Sequence, residues 1–139
     1  MSFIKQVAHV CAFTNDLGAT ETFWTEVLQL PITFRFTRQG KPYGFYFTAG
    51  GRTNVEFFEK ADARFEETNR INHIAFEVED MDKAVAHIRS KGVSITDKKF
   101  GVDETWQAWT ADPNGIKIEL FQYTPTSAQF VGGDRAADW

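Results

Sequence analysis

Residues 71–93, INHIAFEVEDMDKAVAHIRSKGV, decide the fold. Ile74, Phe76 and Val78 alternate with His73, Ala75 and Glu77, the two-residue period of a strand with unlike faces. Asp80 then stands where a helix needs an N-terminal cap. Met81, Ala84, Val85 and Ile88 follow at helical spacing, and Gly92 is placed to end that helix. The stretch therefore predicts a strand over 71–78 and a helix over 81–91.

The same order occurs once before. His9, Asp16, Leu17 and Trp24 lie 64 residues ahead of His73, Asp80, Met81 and Ile88. The first copy predicts a strand over 3–14 and a helix that starts at Asn15-Asp16, carries Leu17, Trp24, Val27 and Leu28, and stops at Pro31. Strands are expected over 32–38, 43–48 and 54–59, with turns at Gly40-Lys41-Pro42 and Gly50-Gly51. A polar linker over 60–70 separates the halves. After the second helix, strands are expected over 93–96, 105–110 and 116–123. Asp112-Pro113-Asn114-Gly115 supplies a hairpin turn in which Asn and Gly tolerate positive φ. The tail over 125–139 has no clear pattern and reads as a surface arm or a partner contact.

The order is βαβββ twice, in modules of about 4–60 and 71–124 within a single domain over 1–124. It predicts an α+β fold of cupped mixed sheets with helices on their outer faces. Two copies are too few for a solenoid and indicate a duplicated module.

Within the repeat, Glu56 follows His9 by 47 residues and Glu119 follows His73 by 46. On the expected strands, Glu119 lies opposite the apolar face of Ile116, Ile118 and Leu120, and Glu56 shares a face with Asn54 and Phe58. His9 is less clean, because Val7, Cys11 and Phe13 share its face. A lone strand His is ordinarily a hydrogen-bonded core or surface residue, and a lone Glu is ordinarily solvated. Two of each at equivalent positions point instead to one divalent ion held by His9, Glu56, His73 and Glu119. His87 falls on the second helix and is expected to face solvent. Without thiolates, this ligand set suits a divalent ion of intermediate hardness, and Zn²⁺, Ni²⁺, Co²⁺, Mn²⁺ and Fe²⁺ are all chemically possible. Structural zinc sites are usually closed and sulfur-rich, so the set speaks for catalysis.

Composition excludes other classes. A chain of 139 residues with 14 Phe and 4 Trp is built to bury a core. A net charge of −4 with scattered basic residues leaves no footprint for nucleic acid or a membrane surface. Cys11 is the only cysteine, so no intrachain disulfide is possible. The N-terminal stretch has no leader pattern and no segment has the length of a membrane span, so a cytoplasmic location is the default expectation.

HVCAFTNDLGATETFWTEVLQLPI, TNVEFFEK, INHIAFEVEDMDKAVAHIRSKGV and ADPNGIKIELFQY resemble the vicinal oxygen chelate (glyoxalase/bleomycin resistance/dioxygenase) superfamily. Among its branches they look most like glyoxalase I, the lactoylglutathione lyase, over roughly residues 4 to 124. The resemblance implies that His9, Glu56, His73 and Glu119 are the metal ligands and that the site lies in a cup of strands, in proteins of this size commonly shared by two chains of a homodimer. Glutathione-dependent members carry Arg four residues after the first His and Asn four residues after the first Glu; here those positions are Phe13 and Lys60.

The implied reaction moves a proton next to a carbonyl of a small-molecule substrate through a metal-stabilised enediolate. Glu119 would be the base and Glu56 its counterpart. Phe13, Phe58, Phe121 and Trp109 are candidates for an apolar wall. Other readings are an epimerase or dioxygenase acting on a small hydroxycarbonyl compound, and a non-catalytic ligand-binding protein of the same fold.

Overall fold

A computed structural model describes residues 7, 9–64, 71, 73–134 and 136. The fold is α+β, and the chain divides into two compact units, Met1–Glu66 and Glu67–Trp139.

The first unit contains β1 (His9–Thr14), α1 (Leu17–Thr22), β2 (Ile32–Arg38), β3 (Lys41–Thr48) and β4 (Asn54–Glu59), in the sheet order β1-β4-β3-β2. The second contains β5 (His73–Glu77), α2 (Met81–Ser90), β6 (Lys99–Phe100), β7 (Trp106–Ala111) and β8 (Lys117–Gln122), in the order β5-β8-β7-β6, and ends in α3 (Ala128–Val131). In each sheet the first strand pairs parallel with the last and the remaining pairs are antiparallel.

Both principal helices begin on the expected aspartates. The Asp16 carboxylate accepts the Ala19 N–H at 2.9 Å, and that of Asp80 accepts the Lys83 N–H at 3.0 Å, each satisfying a donor that the first turn leaves open. α1 runs into one π-type turn over Phe23–Val27, where the Leu28 N–H reaches the Phe23 carbonyl at 3.0 Å. The wider turn places Phe23, Trp24 and Val27 all in the core. Trp24 is fully buried, stacked on Phe47 and edge-on to Phe57. The core of the second unit is aliphatic: Met81, Val85 and Ile88 of α2 are buried, as are Ala108, Ile118 and Leu120 of the sheet α2 packs on.

Several expected bounds shift. Of the strand expected over 3–14, β1 occupies His9–Thr14, and residues 3–6 and 8 lie outside the described residues, as do 65–70 of the linker. The first helical segment ends before Pro31, where Gln29 takes a positive φ of 57°. The β2–β3 turn is Gln39-Gly40, both at positive φ, so Lys41 and Pro42 open β3 instead of forming the turn. No strand forms over 93–96. There one backbone bond forms, from the Thr96 N–H to the Trp109 carbonyl at 3.0 Å. The Thr96 hydroxyl accepts the Trp109 N–H and Thr110 donates its hydroxyl to the Ser94 carbonyl, side-chain bonds in place of a continued ladder, and the fourth strand is β6.

The 112–115 turn forms as expected: Asp112 accepts the N–H groups of Asn114 and Ile116 at 2.9 Å. The tail is more ordered than its sequence suggests. Thr124 and Ser127 donate their hydroxyls to the Glu104 carbonyl, and Gln129 donates to the Asp103 carboxylate at 2.8 Å. These bonds hold α3 on the loop before β7.

Candidate metal centre

In the first unit His9 lies opposite Asn54 in the parallel pair, and Cys11 lies opposite Glu56. In the second, His73 lies opposite Lys117 and Ala75 opposite Glu119. Each Glu therefore stands two residues beyond its histidine's partner, on the same face. The offsets of 64 and 63 describe one register, and the missing residue falls between the paired strands. His9 Nε2 is 3.4 Å from Glu56 Oε1, and His73 Nε2 is 3.3 Å from Glu119 Oε2.

That spacing, ordinary for a His–Glu contact, also fits an ion. Donors about 2.1 Å from one ion lie roughly 3.0 Å apart at octahedral angles and roughly 3.4 Å apart at tetrahedral ones. Each pair thus fits two neighbouring ligands of one divalent ion. The imidazoles are 44% and 36% exposed, whereas the carboxylates of Glu56 and Glu119 are 13% and 8% exposed, so each pair shelters its anion and opens its ring to a ligand. The four expected ligands form two pairs, one in each unit. Among the described residues no group of three or more His, Cys, Asp or Glu side chains is gathered for a metal.

A third member of each pair was not recognised as such in the sequence. Tyr46 lies opposite Glu56 with its ring 5.8 Å from that of His9. Trp109 lies opposite Glu119 with its ring 4.8 Å from that of His73, edge to face. Tyr46 and Trp109 are 63 residues apart, the offset of the glutamates, and that repeat was the available signal.

The pairs differ electrostatically. Burial pushes the Glu119 carboxyl above its ordinary value, and the nearby Asp103 carboxylate adds to the shift. The Cys11 thiol, exposed at the residue level but partly desolvated, is also pushed up, by that desolvation first and then by hydrogen bonding to Glu56 and its charge. β1, the least clear strand in the sequence, follows the same rule as the others: His9, Cys11 and Phe13 are exposed while Val10 and Ala12 are half-buried. His87, expected at the surface, is half-buried on α2.

Residues 6–120 match the model of the Glyoxalase/Bleomycin resistance protein/Dioxygenase superfamily. The chain belongs to this superfamily. It is 26% identical over 128 residues to the uncharacterized protein YaeR of Escherichia coli (strain K12), covering 86% of this chain and 97% of that one. It is 25% identical over 133 residues to the lactoylglutathione lyase GLX1 of Arabidopsis thaliana, covering 91% of this chain and 47% of that one, so it spans about half the length of that relative. The crystal structure of TnmS3, an antibiotic binding protein from Streptomyces sp. CB03234, shares the fold at a TM-score of 0.69 and 17% identity, covering 89% of this chain and 100% of that one.

In this superfamily member, the two positions that depart from the glutathione-dependent pattern meet each other. Lys60 Nζ sits 5.2 Å from the centre of the Phe13 ring, which is 50% exposed on the His9 face. Arg35 is paired with Glu21 of α1 at 2.8 Å. Arg38 lies over the Tyr43 ring at 3.9 Å and donates to the Tyr43 hydroxyl. No described helix is long and apolar enough to cross a membrane.

Proposed function

We propose that this protein is a divalent-metal-dependent lyase or isomerase of the glyoxalase I type, acting on a small-molecule substrate in the cytoplasm. The observation that carries this reading is the His–Glu pair built twice in one register, with donor separations of 3.4 and 3.3 Å. His9, Glu56, His73 and Glu119 would hold the ion, Zn²⁺ or Ni²⁺ first, and each pair would supply two of its protein ligands. A bound ion would supply Lewis-acid stabilisation of the charge that develops on two neighbouring substrate oxygens.

Glu119 takes the proton from the carbon beside the carbonyl and returns it to the adjacent carbon. Its enclosure supports this role, since its side chain is 8% exposed against 13% for Glu56 and water is kept from the proton it carries. Glu56 faces the substrate as its less enclosed counterpart. The open His–Glu faces and the sheet edges support a homodimer.

Metal analysis tests the reading. The purified protein should hold about one divalent ion per two pairs, and light scattering should report about twice the 15.8 kDa chain mass. With Phe13 and Lys60 in place of the clamp, turnover of the methylglyoxal–glutathione hemithioacetal should be weak, and proton transfer on other hydroxycarbonyl compounds should be faster. A protein that binds ligands tightly without metal and turns none over would instead be a binding protein. The exposed rings beside His9 favour that second reading.

A further inference from the structure

The first unit carries an aromatic surface beside its His–Glu pair that the proton transfer itself does not use. Phe34 stacks on Tyr46 with ring centres 4.8 Å apart and planes 20° apart. Phe36 packs on Phe34 at 5.0 Å and on Phe58 at 4.8 Å. Tyr46 in turn meets His9, so the surface runs without a break from β2 to the candidate ligands.

Phe36 and Phe58 stand on strands two apart, roughly 9–10 Å. Their rings meet because the residue between them in register is Gly44. A Cβ there would lie 2.2 Å from the Phe57 carbonyl oxygen and 2.9 Å from the Phe58 ring, so only glycine fits this close approach. The surface is not core: Phe34 is 45% exposed, whereas Phe45, Phe47 and Phe57, whose rings pack with one another and with Trp24, are at most 2% exposed. Its rim is cationic, with Arg38 over Tyr43 and Lys60 over Phe13. An open apolar surface flush with polar donors marks a ligand site more readily than a fold requirement.

We infer that this surface selects the substrate. The two chelating oxygens face His9 and Glu56, and a flat apolar substituent, an aromatic ring in the first place, lies across Phe34, Phe36 and Tyr46. This assignment rests on the metal-dependent reading above and narrows its substrate to hydroxycarbonyl compounds with an aromatic body. The continuity of the rings with a pair of ionisable donors favours a small chelating molecule over a second copy of the chain.

Calorimetric titration of the metal-loaded protein with acetohydroxamate and benzohydroxamate tests it, since both probes offer the same two oxygens and differ in methyl against phenyl. Benzohydroxamate should bind roughly tenfold tighter or more. Phe34→Ala with Phe36→Ala should bring the two affinities together by weakening benzohydroxamate alone. Phe34→Ala by itself, at an exposed ring, should move the ratio the same way without risk to the core. Equal affinities in the unaltered protein, or a ratio indifferent to these substitutions, would overturn the platform and leave the metal reading standing. Failure of both probes to bind would overturn both readings. A halved mass of the Phe34→Ala variant in light scattering, with the ratio unchanged, would make the surface a contact between copies and also overturn the proposal.

Discussion

Across the first sheet, Phe13, Phe58, Gly44 and Phe36 stand in one register row; the corresponding row of the second sheet is Glu77, Phe121, Gln107 and Lys99. The neighbouring rows are far more alike. Cys11, Glu56 and Tyr46 correspond to Ala75, Glu119 and Trp109, and each carboxylate reaches a histidine at nearly the same distance. The row bearing the glutamate is nearly the same in the two sheets, whereas the adjacent row is mostly aromatic in the first unit and mostly polar in the second.

The sharpest way to break the comparison is to remove one histidine at a time. His9→Ala and His73→Ala should each reduce bound metal from stoichiometric to nearly none, with the far-ultraviolet circular dichroism unchanged. Full retention of metal by both variants would sink the assignment, and retention by one would show that the pairs are not equivalent.

The carboxylates should separate next. Glu119→Gln should lower kcat by about 10²–10⁴-fold if Glu119 is the base, and Glu56→Gln should lower it less in single-turnover measurements on metal-loaded protein. The reverse order would transfer the base to the first unit.

The two cores differ as well. Trp24→Ala should cost about 3–5 kcal/mol, and Met81→Ala about 2–5 kcal/mol, in urea unfolding. The tryptophan change should lie toward the upper end, because its larger ring is fully buried, stacked on Phe47 and edge-on to Phe57.

The smallest effects concern the two caps. Asp16→Ala should cost about 1 kcal/mol. In the second unit, the Lys83 N–H and the Lys83 charge hold the Asp80 carboxyl below its ordinary value of 3.8. A depressed carboxyl contributes stability that is present above its unfolded value and lost as pH falls through the folded one. Asp80→Asn should therefore cost a little stability near neutrality, where the carboxylate is charged, and converge with the unaltered protein in acid, flattening the limb below about pH 4, as read by thermal melts across pH.

The repeat, the caps and most strands were legible in the sequence because each depends on local signals. Asp16 and Asp80 sit before helical stripes, Asp112 through Gly115 form a turn from their own side chains, and alternation marks β4, β5 and β8. The segment over 93–96 misled because it meets β7 through the Thr96 hydroxyl and through the Ser94 carbonyl, which accepts the Thr110 hydroxyl, a competition that strand propensity does not express. The tail looked patternless because α3 is held by hydrogen bonds to the loop at Asp103 and Glu104 and not by a periodic apolar face.

By itself the sequence determined which four residues repeat and on which kind of strand they stand, since spacing and alternation are properties of the chain. Tertiary structure decided what surrounds them. The parallel pairing of β1 with β4 and of β5 with β8 turns two long sequence separations into contacts of 3.4 and 3.3 Å. The antiparallel pairings of β3 with β4 and of β7 with β8 bring Tyr46 and Trp109 to the histidines, and Gly44 lets Phe36 reach Phe58. Such contacts arise from register across strands distant in the chain, which no local pattern encodes.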